Sequence, residues 1–214
     1  MVICNHCHKS FRKGNGRGSL KTHCAAIKAA RNRKPGKTPK QKLLEPKDIR
    51  KLCHIIASLF KHRRKLVKEY PLAKLITRPR VPNTLSEPIV IHLLNQGKIL
   101  PELSKFSFKL GGIADITASY KSTAKKIEVK STGVNEFQQL TNKDVKSDYL
   151  IWLNFADAFI RNNFSGIKII IVKKPKQYPK LVRRINKQPK ITLKVFREKL
   201  GRSYKEKTIN LNKL

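Results

Sequence analysis

Residues 111–132 read GGIADITASYKSTAKKIEVKST, and how this stretch divides decides the fold. Two β-rich runs, 113–120 and 126–132, flank a polar turn around Lys121 to Lys125. Strand side chains alternate between faces, so Glu128 and Lys130 point one way while Ile127 and Val129 face a core on the other. On the preceding run Asp115 and Thr117 share a face, and a tight hairpin brings Asp115 within reach of Glu128. Carboxylates are scarce in this chain, at 13 Asp plus Glu against 49 Lys plus Arg. Two acids placed side by side repel, which raises one pKa unless a cation settles between them. Mg²⁺ suits such a pair, because it takes hard oxygen ligands and completes its shell with waters and a phosphate. Lys130 is then placed to orient or deprotonate a water, or to offset transition-state charge.

Working outward, NEFQQLTNKDVK reads as a loop with a short helix, and DYLIWLNF and IKIIIV as strands buried on both faces. DAFIRN between them reads as helical. Upstream lie a strand near Phe106 to Leu110 and a short helix, SEPIVIHLLNQG, with Ser86 as N-cap, Pro88 in the first turn and Gly97 as C-terminal stop. Glu87 stands at the start of that helix. Pro71, Pro79 and Pro82 mark a loop, preceded by an amphipathic helix over 49–69 with Asp48 as N-cap. Its apolar residues Leu52, Ile55, Ile56, Leu59, Phe60, Leu66 and Val67 enclose the basic run Lys61 to Lys65. The alternation of helices and strands after a hairpin predicts a mixed α/β sheet. Residues 174–214 read as a basic extension with candidate helices near Pro179 to Ile185 and Thr192 to Leu200.

Asp115, a dozen residues, then Glu128-Val129-Lys130 resembles the PD-(D/E)XK motif of nucleases that include type II restriction enzymes, some homing endonucleases and Holliday junction resolvases. The resemblance covers roughly residues 84–173. It implies a restriction-endonuclease-like mixed β-sheet core flanked by helices, in the order α-β-β-β-α-β. It also implies Asp115 and Glu128 as Mg²⁺-binding acids, Lys130 as the catalytic lysine, and Glu87 as a third acid on the helix before the strands. Ala114 stands where the motif has proline, and Gln138 and Gln139 fall where some of these nucleases place a polar residue near the metal or phosphate.

The first 31 residues form a separate small unit. Residues 4–23 run C-x₂-C-x₃-F-x₈-L-x₂-H, a spacing similar to a C₂H₂ zinc finger, with Cys4, Cys7, Phe11, Leu20 and His23 matching. Cys24, adjacent to His23, is a candidate fourth Zn²⁺ ligand, as are His6, His8, Cys53 and His54. So short and polar a segment has little core without a metal, and zinc supplies about 10 kcal/mol or more of folding free energy in such units. Residues 32–48, NRKPGKTPKQKLLEPKD, are too rich in Pro and Lys to bury a core and read as a linker to a domain over 49–214.

The formal charge of +36 is spread from end to end, with no acid before Glu45 and none between Asp157 and Glu198. Such a field is self-repelling until a polyanion neutralises it. The expected partner is double-stranded DNA, held with a steep salt dependence. No stretch approaches the ~18 apolar residues of a membrane span, and no apolar secretory signal is present, so an intracellular chain is expected. The expected activity is a Mg²⁺-dependent, site-specific DNA endonuclease, possible as a homodimer since two strands must be cut. A junction resolvase and a non-catalytic ribosomal-type binder are the alternatives.

Overall fold

The structure is a computed structural model that describes residues 2–3, 10–11, 43–75, 80–108, 115–137, 140, 144–178 and 191–214. It divides into two compact units, Met1–Lys42 and Leu43–Leu214. In the first, β1 (Val2–Ile3) pairs antiparallel with β2 (Ser10–Phe11). Cys4, Cys7, His23 and Cys24 lie outside the described residues.

The second unit is an α/β domain built on one mixed six-stranded sheet. In chain order its elements are α1 (Pro46–Glu69), α2 (Asn83–Asn95), β3 (Ser104–Phe108), β4 (Ile116–Tyr120), β5 (Thr123–Thr132), β6 (Glu136–Phe137), β7 (Tyr149–Asn154), α3 (Ala158–Arg161), β8 (Ile167–Lys173), β9 (Ile191–Thr192), α4 (Leu193–Leu200) and β10 (Tyr204–Ile209). The sheet order is β10-β8-β7-β5-β4-β3, and β5 with β7 is its parallel pair. A short ladder of β6 with β9 ties the chain beyond β5 to the start of α4.

The two continuous apolar runs are explained by two cores on opposite faces of the same strands. Ile151, Leu153, Ile169 and Ile171 join Ile127 and Val129 in a core covered by α1 and α2. Leu150, Trp152, Ile170 and Val172 join a second core closed by Phe196 and Leu200 of α4, where Trp152 meets Phe196 edge to face at 5.2 Å. At roughly 2 kcal/mol per fully buried large apolar side chain, these layers hold β5 rigid.

Several boundaries differ from the sequence reading, each for a physical reason. Helix α1 begins a turn earlier: Glu45 is the N-cap, Pro46 takes the first turn where its missing N–H is harmless, and Asp48 sits inside that turn. Helix α2 likewise starts after Pro82, so Ser86 is not its cap and Pro88 lies inside it. Glu87 therefore sits in the second turn, among buried neighbours. Gly97 does stop this helix: at φ +64° its N–H reaches Leu94 O, and Lys98 N–H reaches Leu93 O, a Schellman closure. The β4–β5 turn is two residues, Lys121 and Ser122, both at positive φ, the twist-matched hairpin geometry.

The C-terminal extension, read as basic with candidate helices, also supplies a strand: α4 closes the second core, and β10 is the sheet's outer strand, paired along its length with β8. Thr192 caps α4 by accepting the Val195 N–H. The candidate helix at 179–185 lies outside the described residues. No helix among the described residues is long and apolar enough to cross a membrane.

Candidate metal centre

The β4–β5 ladder runs from Tyr120–Thr123 to Ile116–Ile127 and stops there. Asp115 is the first residue past its end. The next rung would use the N–H of Val129, and Asp115 Oδ2 takes that N–H at 2.7 Å in place of a strand carbonyl. This bond holds Asp115 across from Glu128, at the mouth where β4 leaves β5 while β5 continues along β7.

Glu128 pairs in register with Leu150, and Lys130 with Trp152. Both therefore project to the α4 side of the sheet, where Glu128 is 9% exposed. Lys130 Nζ donates to Glu128 Oε1 at 2.6 Å and to Asp144 Oδ1 at 3.1 Å. Asp144 opens the 3₁₀ turn Asp144–Lys146, which is pinned by buried Val145 and by Ser147 Oγ donating to the Asp144 carbonyl. Asp148, a turn later, accepts the Lys126 N–H and steadies the same edge of β5.

Glu87 enters from α2, is 4% exposed, and feels the charges of both Asp115 and Glu128. Burial foremost, then those two neighbours, push its carboxyl up to about 7. Burial also leads in raising Glu128 to about 7; Asp115 and Asp144 add to the rise, against the opposing Lys130 bond. Burial alone would lower Lys130, but its bond to Glu128 and the charges of Glu128 and Asp144 outweigh that and leave it raised, a firm ammonium at neutral pH.

The structure thus brings together Glu87, Asp115, Glu128 and Lys130, which the sequence singled out, and adds Asp144, which it did not. The signal for Asp144 was its rarity, an acid in a loop of a chain with 13. Gln138, Gln139 and Ala114 lie outside the described residues. Cys53 is 1% exposed, in the core of the second unit, and burial pushes its thiol up to about 12. His54 is engaged as well, its Nδ1 2.7 Å from Asn162 Oδ1.

Among the described residues, no three His, Cys, Asp or Glu side chains form a ready-made chelate. A hexahydrated-type ion does not need one, since Mg²⁺ accepts one or two carboxylates and fills its shell with water and phosphate. Asp115 and Glu128 each commit one oxygen to the protein and keep a second as donor. Glu87 and Glu128, whose charged forms are disfavoured first by burial and then by neighbouring acids, are groups whose ionisation a cation here would favour. Comparison with known proteins gives no match: no family model, no characterised protein and no solved structure.

Proposed function

We propose that this chain is a Mg²⁺-dependent endonuclease acting on double-stranded DNA, with a PD-(D/E)XK-type centre. The observation that carries the reading is the convergence of Glu87, Asp115 and Glu128, from three different stretches of the chain, with Lys130 bonded to Glu128. In a chain of +36, an acid cluster on a rigid strand is opposed to the surface field and suits a cation carried in with a polyanion.

Asp115 and Glu128 would hold the ion, and Mg²⁺ when bound polarises a phosphoryl oxygen and acidifies a water. Glu87, near its midpoint at neutral pH, gains charge as positive charge arrives. Lys130 stays protonated, so its role is to stabilise negative charge on the phosphoryl oxygens and not to act as a base. The surrounding lysines and arginines bind the backbone, giving a log K that falls with log salt at about −0.9 per phosphate contacted.

The N-terminal unit is proposed as a Zn²⁺ module using Cys4, Cys7 and His23, with Cys24 the candidate fourth ligand. The pairing of Val2–Ile3 with Ser10–Phe11 supports it, since it draws together the two ends of the segment that carries both cysteines.

The test is incubation of purified chain with plasmid and four-way-junction DNA, in Mg²⁺ or EDTA. Cleavage in Mg²⁺ alone, lost in Asp115→Ala and Lys130→Ala, is expected. Intact DNA under all conditions removes the enzyme reading and leaves a nucleic-acid binder. Cutting of junctions but not linear duplex reassigns the substrate to branched DNA.

A further inference from the structure

Helix α1 turns three different faces outward from its axis. Ile49, Cys53, Ile56 and Phe60 are buried. At 100° per residue, the basic residues Lys61, Arg64, Lys65 and Lys68 group on a second face. Ile55, Leu59 and Leu66 fall within about 40° of one another on a third, about 150° round from the basic group. These three are roughly half exposed, and Tyr70, which ends the helix, is 62% exposed. The chain then folds back as a 3₁₀ turn, Pro71–Leu75, held by Arg63 Nη2 donating to the Lys74 carbonyl. That turn adds Leu72 and Leu75, each about four-fifths exposed.

Six large apolar side chains left exposed along one helix and the turn that follows it are more than a monomer ordinarily leaves bare. Taking roughly 200 Å² for a fully exposed large side chain, they present on the order of 700 Å². A stable interface buries about 800 Å² per partner. From Ile55 through Leu59 and Leu66 to Tyr70 the intervals are four, seven and four residues, so this part of the pattern reads the same in both directions. A two-fold axis between His62 and Arg63 sets Ile55 against Tyr70 of a second copy, and Leu59 against Leu66. An isologous contact requires this self-complementarity. The group Lys61, Arg64, Lys65 and Lys68, far round the helix, is carried away from such a contact, while Arg63, beside the axis, is turned to the Lys74 carbonyl.

We propose that this stripe is the interface of a homodimer, formed by antiparallel packing of α1 on α1 of a second copy. The proposal does not depend on the nuclease reading, because its readout is molecular mass. Sedimentation velocity of the full chain, freed of nucleic acid, is run at tens of micromolar in about 0.5 M salt to screen the net charge. A species of twice the chain mass is expected. Leu59→Arg and Leu66→Glu, at exposed positions, should each be monomeric with an unchanged circular dichroism spectrum. Mixed one to one, these variants should recover the dimer, because antiparallel packing sets position 59 of one chain against position 66 of the other. A wild-type chain of single mass overturns the proposal, and so does a mixture that stays monomeric. A complex holding one copy with another protein assigns the stripe to that partner instead.

Discussion

Asp115 accepts the backbone N–H of Val129 at 2.7 Å, and this one bond both ends the β4–β5 ladder and fixes a carboxylate beside Glu128. Two jobs in one side chain can be separated by substitution. Asp115→Asn keeps an acceptor for Val129 and removes the charge. It should fold with near-native stability while cleavage falls about 100-fold or more. Asp115→Ala also strands the Val129 N–H, adding about 1–3 kcal/mol of destabilisation. Urea unfolding alongside a plasmid assay distinguishes the two. Equal stability of the two variants would show that the bond is not holding the strand edge.

The raised carboxyls give a pH dependence of definite sign. Glu87 and Glu128 sit at about 7 in the folded protein, against about 4.3 for a free glutamate. Between those values the folded state binds more protons than the unfolded one. Metal-free stability therefore falls as pH rises from about 4.3 to about 7 and is flat beyond. At 1.36 kcal/mol per unit the effect is about 4 kcal/mol for each group taken alone. A bound Mg²⁺ would offset this by favouring the charged forms, so its stabilising effect should grow across the same window. Melting temperatures at pH 5 and pH 8, with EDTA or Mg²⁺, measure this. A Mg²⁺ increment as large at pH 5 as at pH 8 would contradict the assignment of these acids to the ion.

Lys130 is held by two carboxylates, of which the proposed metal site would use only Glu128. Asp144, at 3.1 Å from Nζ, is the anchor that remains when the ion takes Glu128. Asp144→Asn should therefore lower the cleavage rate about 10- to 100-fold, the usual cost of losing a supporting partner. It should also raise the Mg²⁺ concentration needed for half-maximal rate, because the ammonium then leans wholly on Glu128 and competes with the ion. Asp144→Glu should restore part of both. A rate loss with no change in Mg²⁺ requirement would limit Asp144 to holding the 3₁₀ turn.

Much of this centre was legible because strand periodicity is strict. Once 126–132 is a strand, Glu128 and Lys130 must share a face, and the buried run DYLIWLNF must lie beside it. The two-residue hairpin turn was not legible, since Lys121 and Ser122 adopt positive φ without the Asn-Gly or Asp-Gly that usually marks it. Pro88 concealed the true start of α2, because a proline is expected in a first turn and here lies deeper. Glu87 was thereby read at a helix start when it is buried. Strand β10 was hidden by composition: YKEKTI alternates as an edge strand should, but its lysines resemble the basic tail around them. Asp144 acts through a contact formed by folding, across a loop that no local pattern predicts.

Cysteine reactivity provides a test that separates the zinc unit from the domain. Cys53 is 1% exposed, and burial holds its thiol up to about 12, so it has neither the access nor the thiolate that alkylation needs. Cys4, Cys7 and Cys24, as proposed zinc ligands, are protected only while the ion is bound. Native chain treated with iodoacetamide should therefore gain no adducts when zinc-loaded, and three after a zinc-selective chelator. A fourth should appear only on full unfolding. Intact-mass spectrometry counts the adducts and peptide mapping places them. Two adducts after chelation, with Cys24 unmodified, would remove Cys24 from the ligand set. Three adducts with and without chelator would remove zinc from the unit altogether. Rapid labelling of Cys53 in the native chain would mean that α1 does not pack against the sheet as described.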